Sequence, residues 1–500
     1  MPAHLLSSLL FIPCLGLFVL LLSPARLNLI RFIANGTAIA TLILSVVIAS
    51  QFRAGYAGFQ FVERAQWIPA IGAQYIVGLD SISLLLVLLT TLITSAAVLC
   101  SWNDVLERPK LYYTMLLLLE TGIIGVFISL DLFLFYLFWD LVLIPMYFLI
   151  GVYGGPRRAY AAIKFFLYTL LGSVFLLLGF LGLYFCHAQQ TGIYTFELTK
   201  LVGLHPGLAI EMWIFWALFL GFAVKVPMFP LHTWLPDAHV EAPTAGSVLL
   251  ASLLLKMGTY GFIRFSLPLV PEASTSPPVV KTMVVLSLIA IIYGALVSLM
   301  QRDWKKLVAY SSVSHMGFCT LGIFALNFNG VAGSVIQQIN HGISTGLLFL
   351  LVGFMYDRRH TREISDFGGL AQVIPVFATV FAITVFSSAG LPLLNGFVGE
   401  FTILSGAFAV NRLWALVGVV GMVLSAAYLL WLYQRTMMGP IRYDVNRTLR
   451  DLTVRERVIV VPLIAIIFGI GIYPAPLFNV LRPAVTALMQ EVHPTLGQAR

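Results

Sequence analysis

Runs of about twenty apolar residues follow one another along nearly the whole chain, joined by loops too short to fold alone. A helix needs about 20 such residues to cross a bilayer, because each adds only ~1.5 Å of length. Soluble domains carry roughly 25% charged residues. Here 10% of 500 residues are charged and 60% are hydrophobic, so no water-facing shell can be built. Length alone would suggest about three soluble domains, but no long polar stretch divides the runs. The reading is a single membrane domain over residues 1–500. The net charge of +8 lies mostly in short loops, where it is an orientation signal and not a nucleic-acid patch.

Fourteen spans are expected, near 4–23, 30–50, 78–101, 112–130, 132–153, 161–185, 210–229, 242–267, 279–300, 307–325, 330–355, 375–408, 413–433 and 458–473. The first run lacks the basic start of a cleaved signal and is long enough to span. Tight turns are expected at Asp131 and near Asn327, and a surface loop or interfacial helix over 187–209. Cys14, Cys100, Cys186 and Cys319 lie far apart with no CxxC spacing, so they read as packing residues.

Basic residues sort by side. Loops after odd-numbered spans hold Arg26, Arg31, Arg108, Lys110, Arg157, Arg158, Arg302, Lys305, Lys306, Arg358, Arg359, Arg362 and the group from Arg435 to Arg457. The other side holds only Arg53, Arg64, Lys200, Lys281, Arg412, Arg482 and Arg500. The positive-inside rule then puts both termini outside, and it tests the even count, since one missed span would scramble the sides.

Some charges escape this sorting. Lys164 sits near a membrane edge, and Arg264 is placed to snorkel to the outer end of its helix. Lys225, Lys256, Asp140 and Glu400 lie inside apolar runs. Each such residue costs roughly 2.5–3.5 kcal/mol at a helix centre, on the order of 10 kcal/mol for four. Membrane helices are usually glued by Ser, Thr, Asn or Gln, so ionisable residues point to a proton or ion path more than to structural pairs. Proline breaks fall beside two of them, in VKVPMFP at 224–230 and GLPLLNGFVGE at 390–400. Freed carbonyls at that depth are tolerated only inside protein or beside water. Two interrupted helices at matching positions mark a repeat transporter. Spans four to eight (112–267) and nine to thirteen (279–433) pair as inverted five-helix repeats with spans seven and twelve broken, leaving a C-terminal helix and tail at 458–500. His315, and the run Gln337, Gln338, Asn340 and His341, add titratable and polar groups between the charges. A histidine there suits either a relay or a hydrogen-bonded structural role.

His232, Asp237, His239 and Glu241 raise the question of a metal. They lack HExxH or paired-Cys spacing, and Trp-Leu-Pro is expected to break any common helical face, so no metal is assigned. Nor is there a dinucleotide fingerprint, a phosphate-binding loop or a cysteine set for an iron–sulfur cluster. Redox chemistry or nucleotide hydrolysis is expected in a partner.

The segments FYLFWDLVLIPMYFLIGVYGG, FPLHTWLPDAHVEAPTAGSVLLASLLLKMGTYG, MQRDWKKLVAYSSVSHMGF, QQINHGISTGLLFLLVGFMYDRRHTREI and LPLLNGFVGEF resemble the antiporter-like subunits of the proton-pumping NADH–quinone oxidoreductase, complex I. The resemblance runs from about residue 78 to 440 and leans to the chain M (subunit 4) branch. It implies an all-α polytopic membrane fold of about fourteen helices with two inverted repeats. It implies a Lys–acid pair carried onto Asp140 and Lys225, a central lysine at Lys256 and a terminal acid at Glu400, with His315 and His341 as relay candidates. Cofactors are implied only in partner subunits: NADH, FMN, iron–sulfur clusters and quinone. The implied partners are other membrane subunits, including sister antiporter-like chains, in a bacterial inner membrane. Asp140 departs from the family, which usually has glutamate there, so contact with Lys225 is expected to be longer or bridged by water. Other readings are a subunit of a multisubunit cation/proton antiporter, a membrane-bound hydrogenase-type complex, or a passive scaffold for a peripheral enzyme.

Overall fold

The computed structural model describes residues 4–103 and 107–492. The chain is almost wholly helical. Helices α1 (Leu5–Leu22), α2 (Leu27–Gln51), α3 (Ser81–Cys100), α4 (Pro109–Ile128), α5 (Leu132–Tyr153) and α6 (Arg158–Thr191) are each long and apolar enough to cross a membrane. The same holds for α7a (Leu208–Lys225), α8 (Thr244–Leu269), α9 (Pro277–Leu299), α10 (Trp304–Phe324), α11 (Phe328–Arg359) and α13 (Arg412–Met437). After α7a the chain turns into the short α7b (Trp234–Glu241). Where one span was expected over 375–408 there are two pieces, α12a (Pro375–Ser388) and α12b (Asn395–Val410). The expected C-terminal helix is α14 (Val454–Ile472), followed after a 73° bend by α15 (Ala475–Val492). Arg500 and the rest of 493–500 lie outside the described residues.

The apolar runs become helices because a hydrocarbon surround leaves the backbone no other hydrogen-bond partner. Burial separates their roles. Along α8, α10 and α11 nearly every residue is buried, whereas α1, α2, α6 and α13 turn apolar faces outward. The inner set carries most of the polar side chains, so the polar row is sheathed by helices that meet lipid.

One element was not expected from an all-α reading. Strands β1 (Gln60–Ile68) and β2 (Ala73–Leu79) form an antiparallel hairpin between α2 and α3. Its turn needs Gly72, whose φ is +69° and whose absent Cβ would strike the Tyr194 carbonyl. The region 187–209 therefore serves as a clasp. The amide of Leu130 donates to the Ile76 carbonyl, and the Gln74 amide donates to Asp131. Arg64 grips Glu197 with both nitrogens, at 3.0 and 2.5 Å. Asp131 and Asn327 make the expected tight turns as N-caps, the first accepting from the Phe133 and Leu134 amides and the second from Gly330. No disulfide joins the four cysteines.

Candidate functional site

Asp140, Lys225 and Lys256 lie where their helices depart from regular geometry, and Glu400 lies in the second turn after the break between α12a and α12b. In α8, π-helical turns at Leu250–Leu254 and Phe262–Ser266 flank Lys256. A π-turn leaves a carbonyl without its usual partner, and Lys256 Nζ donates to that of Ala251 at 2.6 Å. In α7 the break after Lys225 frees the Val224 carbonyl, which accepts the Trp234 indole N–H at 2.9 Å. α5 interrupts its ladder at Val142, just after Asp140, because Pro145 cannot donate and crowds the carbonyl one turn back. The gap between α12a and α12b is stitched to α11 by Asn395. Its side-chain oxygen accepts from Ser387 at 2.5 Å and Ser344 at 3.3 Å, while Asn340 donates to its backbone carbonyl at 2.6 Å.

Four of the expected residues form one row. Lys256 Nζ is 2.7 Å from His341 Nδ1. The His341 and His315 rings lie 5.7 Å apart between centroids. His315 Nδ1 is 2.7 Å from Glu400 Oε1, which also accepts from Gln337 at 3.0 Å. Tyr428 contacts His315 Nε2 at 3.3 Å and steadies the ring. Beside the two histidines, Gln337, Asn340, Ser387 and Ser388 help to line a cavity of about 10 Å³, room for a single water. His341 Nε2 and Glu400 Oε2 have no protein partner among the described residues.

The expected Asp140–Lys225 pair is not closed. Asp140, only half-buried, accepts a short hydrogen bond from Ser173. Lys225 Nζ has no hydrogen-bond partner among the described residues and lies 5.2 Å from the Trp139 ring and 6.0 Å from that of Phe165. Aromatic faces stabilise a cation weakly compared with a carboxylate. The shorter aspartate side chain and the nearby serine hydroxyl account for the separation.

Other expectations need correction. Arg264 does not snorkel: it pairs with Asp80, the N-cap of α3, and donates to Tyr260 at 3.2 Å. Trp-Leu-Pro does not prevent a helix, since Pro236 falls in the first turn of α7b where no amide is needed. Asp237 instead pairs with Lys164 at 2.7 Å, and Glu241 accepts from the Arg157 amide at 3.0 Å. Lys305, counted among loop charges, is the second residue of α10 and is buried, donating to the Ala242 carbonyl at 2.6 Å.

Three functional candidates escaped the sequence reading. Lys305 lines a cavity of about 470 Å³ between the α5–α6 turn, α7b and the end of α11, together with Glu241, Glu107 and Arg362. His239, fully buried and stacked on Phe349 at 4.6 Å, lies within electrostatic reach of both Lys305 and Lys256. Glu120 is fully buried in α4 with neither oxygen partnered among the described residues. Its signal was an acid in the middle of LYYTMLLLLETGIIGVF; the burial of Lys305 and His239 had none.

Residues 129–425 match the family described as NADH:quinone oxidoreductase/Mrp antiporter, membrane component. The chain belongs to this family. It is 44% identical to NADH-quinone oxidoreductase subunit M of Rhodobacter capsulatus, over 99% of this chain and 98% of that protein. It is 43% identical to NADH-ubiquinone oxidoreductase chain 4 of Marchantia polymorpha, over 97% of each. Among solved structures it superposes on a chain of respiratory complex I from Thermus thermophilus with a TM-score of 0.88, at 30% identity over 97% of this chain and 99% of that one. A chain of the Mrp complex from a Dietzia species gives a TM-score of 0.83 at 21% identity, with 99% and 98% covered, a likeness of fold. Membership accounts for the polytopic helical fold and its place in a multi-subunit membrane assembly.

Proposed function

We propose that this chain is a proton-conducting membrane subunit of NADH–quinone oxidoreductase, driven by redox chemistry in partner subunits. The observation that carries it is the row from Lys256 through His341 and His315 to Glu400, with contacts of 2.7 Å at both ends. Lys256 passes a proton to His341, the single-water cavity bridges to His315, and Glu400 receives it. Asp140 and Lys225 act as the gate. With Asp140 withdrawn onto Ser173, no carboxylate holds the proton on Lys225; closing the pair would hold it. Protons reach the row from the 470 Å³ cavity by way of Lys305 and His239.

Fourteen crossings follow if α7a with α7b, α12a with α12b, and α14 with α15 each count once. The inverted-repeat reading is supported by each broken helix packing on the helix before it in its repeat, α7a and α7b against α6, and α12a and α12b against α11. The basic loops meet on one face, where Arg362 donates to the Val240 carbonyl and Arg157 pairs with Glu241. That face is inside, which puts both termini on the periplasmic side of a bacterial inner membrane. Sister antiporter-like chains flank this one. NADH, FMN, iron–sulfur clusters and quinone belong to partners, as the missing motifs support.

The test is proton pumping in vesicles by the assembled complex. Lys225→Ala and Lys256→Ala each abolish pumping while assembly persists; full pumping in both variants overturns the proposal. Pumping that requires sodium would favour a cation/proton antiporter instead.

A further inference from the structure

On the face opposite the 470 Å³ cavity, three segments distant in sequence meet at the outer end of α7a. The loop after α6 brings His205, the first turn of α7a brings Glu211, and the one-turn helix Pro271–Thr275 after α8 brings Glu272. One ligand atom from each side chain lies within 4.8 Å of the other two. Glu211 is fully buried, its Oε2 accepting from the Ala273 amide at 3.0 Å while Oε1 has no hydrogen-bond partner among the described residues. A buried carboxylate oxygen is rarely left unsatisfied, and no basic side chain among the described residues pairs with this one. His205 and Glu272 are exposed, so the cluster opens to solvent on one side.

An imidazole and two carboxylates, with a fourth position open to water, form a donor set suited to zinc. Magnesium and calcium prefer all-oxygen shells, whereas an imidazole selects later transition metals. We propose that His205, Glu211 and Glu272 bind a divalent cation of the zinc class. Glu211 would anchor the ion, with His205 and Glu272 closing over it from the loop and the short helix. The contraction needed is modest, from a spread of 4.8 Å to the spacing set by ligand bonds of about 2.0–2.2 Å. The ion would staple the outer ends of α7a and α8, the helices that carry Lys225 and Lys256. This inference does not depend on the proton route.

The experiment is a zinc titration of the purified assembled complex against a chromophoric chelator, comparing wild type with His205→Ala and Glu272→Gln. Both substitutions are at exposed positions, and co-purification of the other subunits reports that the fold persists. In each variant one zinc equivalent is lost or weakened by tenfold or more. Titration curves that coincide for wild type and both variants overturn the assignment.

Discussion

Around Lys256 the titratable side chains are joined by direct contacts at both ends and one water-sized gap between the histidines, and Lys225 reaches none among the described residues. Both lysines are almost fully buried, both sit at irregular turns, and both face other helices. Lys256 has a carbonyl and a histidine within 2.7 Å; Lys225 has aromatic rings at 5.2 and 6.0 Å. The difference lies in what the neighbouring helices offer. α11 presents Gln337, Asn340 and His341 to the centre of the molecule, whereas α5 presents Trp139 beside an aspartate bound to serine. A connected row conducts in either direction, so control must reside where the connection is missing. Under the function proposed above, the open pair is the point at which partners impose direction.

The comparison can be broken most severely within the row. His315→Ala removes the titratable group between His341 and Glu400, and pumping falls by about a hundredfold, the scale of a lost proton-transfer group. Rates in the vesicle assay that stay near wild type would mean that the row is not the route. The gate gives a graded test of the other region. Asp140→Asn deprives Lys225 of its counter-charge and lowers pumping by roughly tenfold, a cost of about 1.4 kcal/mol in the coupling. Asp140→Glu lengthens the reach and keeps pumping near wild type. If Asn and Glu behave alike, charge at position 140 does not gate Lys225.

The smallest effect belongs to the outer clasp. Burial pushes the Glu197 carboxyl upward, but hydrogen bonds from Arg64, Lys200 and Thr199 outweigh it and hold it below the usual glutamate value. A carboxylate with a lowered folded pKa stabilises fully above its unfolded value of about 4.5, and that contribution is lost as pH falls through the folded value. Arg64 and Lys200 are half-exposed, so the gain is at most about 1 kcal/mol. Thermal unfolding of wild type and Glu197→Gln should differ slightly at pH 7 and converge in acid, once the pH has fallen through the lowered folded value. A gap that persists in acid would place the clasp's strength in packing alone.

Much of the site was legible because membrane burial makes charge expensive. Lys225, Lys256 and Glu400 stood out against apolar neighbours, and the proline breaks beside two of them were visible in the same few residues. Lys305 and His239 were not legible: one looked like a loop charge and the other like part of a polar turn. Their burial depends on α7b folding back under α11, which no local pattern encodes. The β-hairpin was missed for a related reason. Its strands are short, moderately polar and held by residues some 60 to 130 positions away, Asp131 and Glu197 among them.

The sequence by itself determined that the chain lies in a membrane, that most of its apolar runs are helices long enough to cross it, and that its interior holds charges costly to bury. Those follow from transfer energies, which are summed residue by residue along the chain. Tertiary structure alone decided which charges touch. Lys256 and His341 are 85 positions apart, as are His315 and Glu400, and a hydrogen bond forms or fails within a few tenths of an ångström. The same short range left Lys225 and Asp140 apart. Composition can predict that two such groups share a helix bundle, but only packing sets the gap between them.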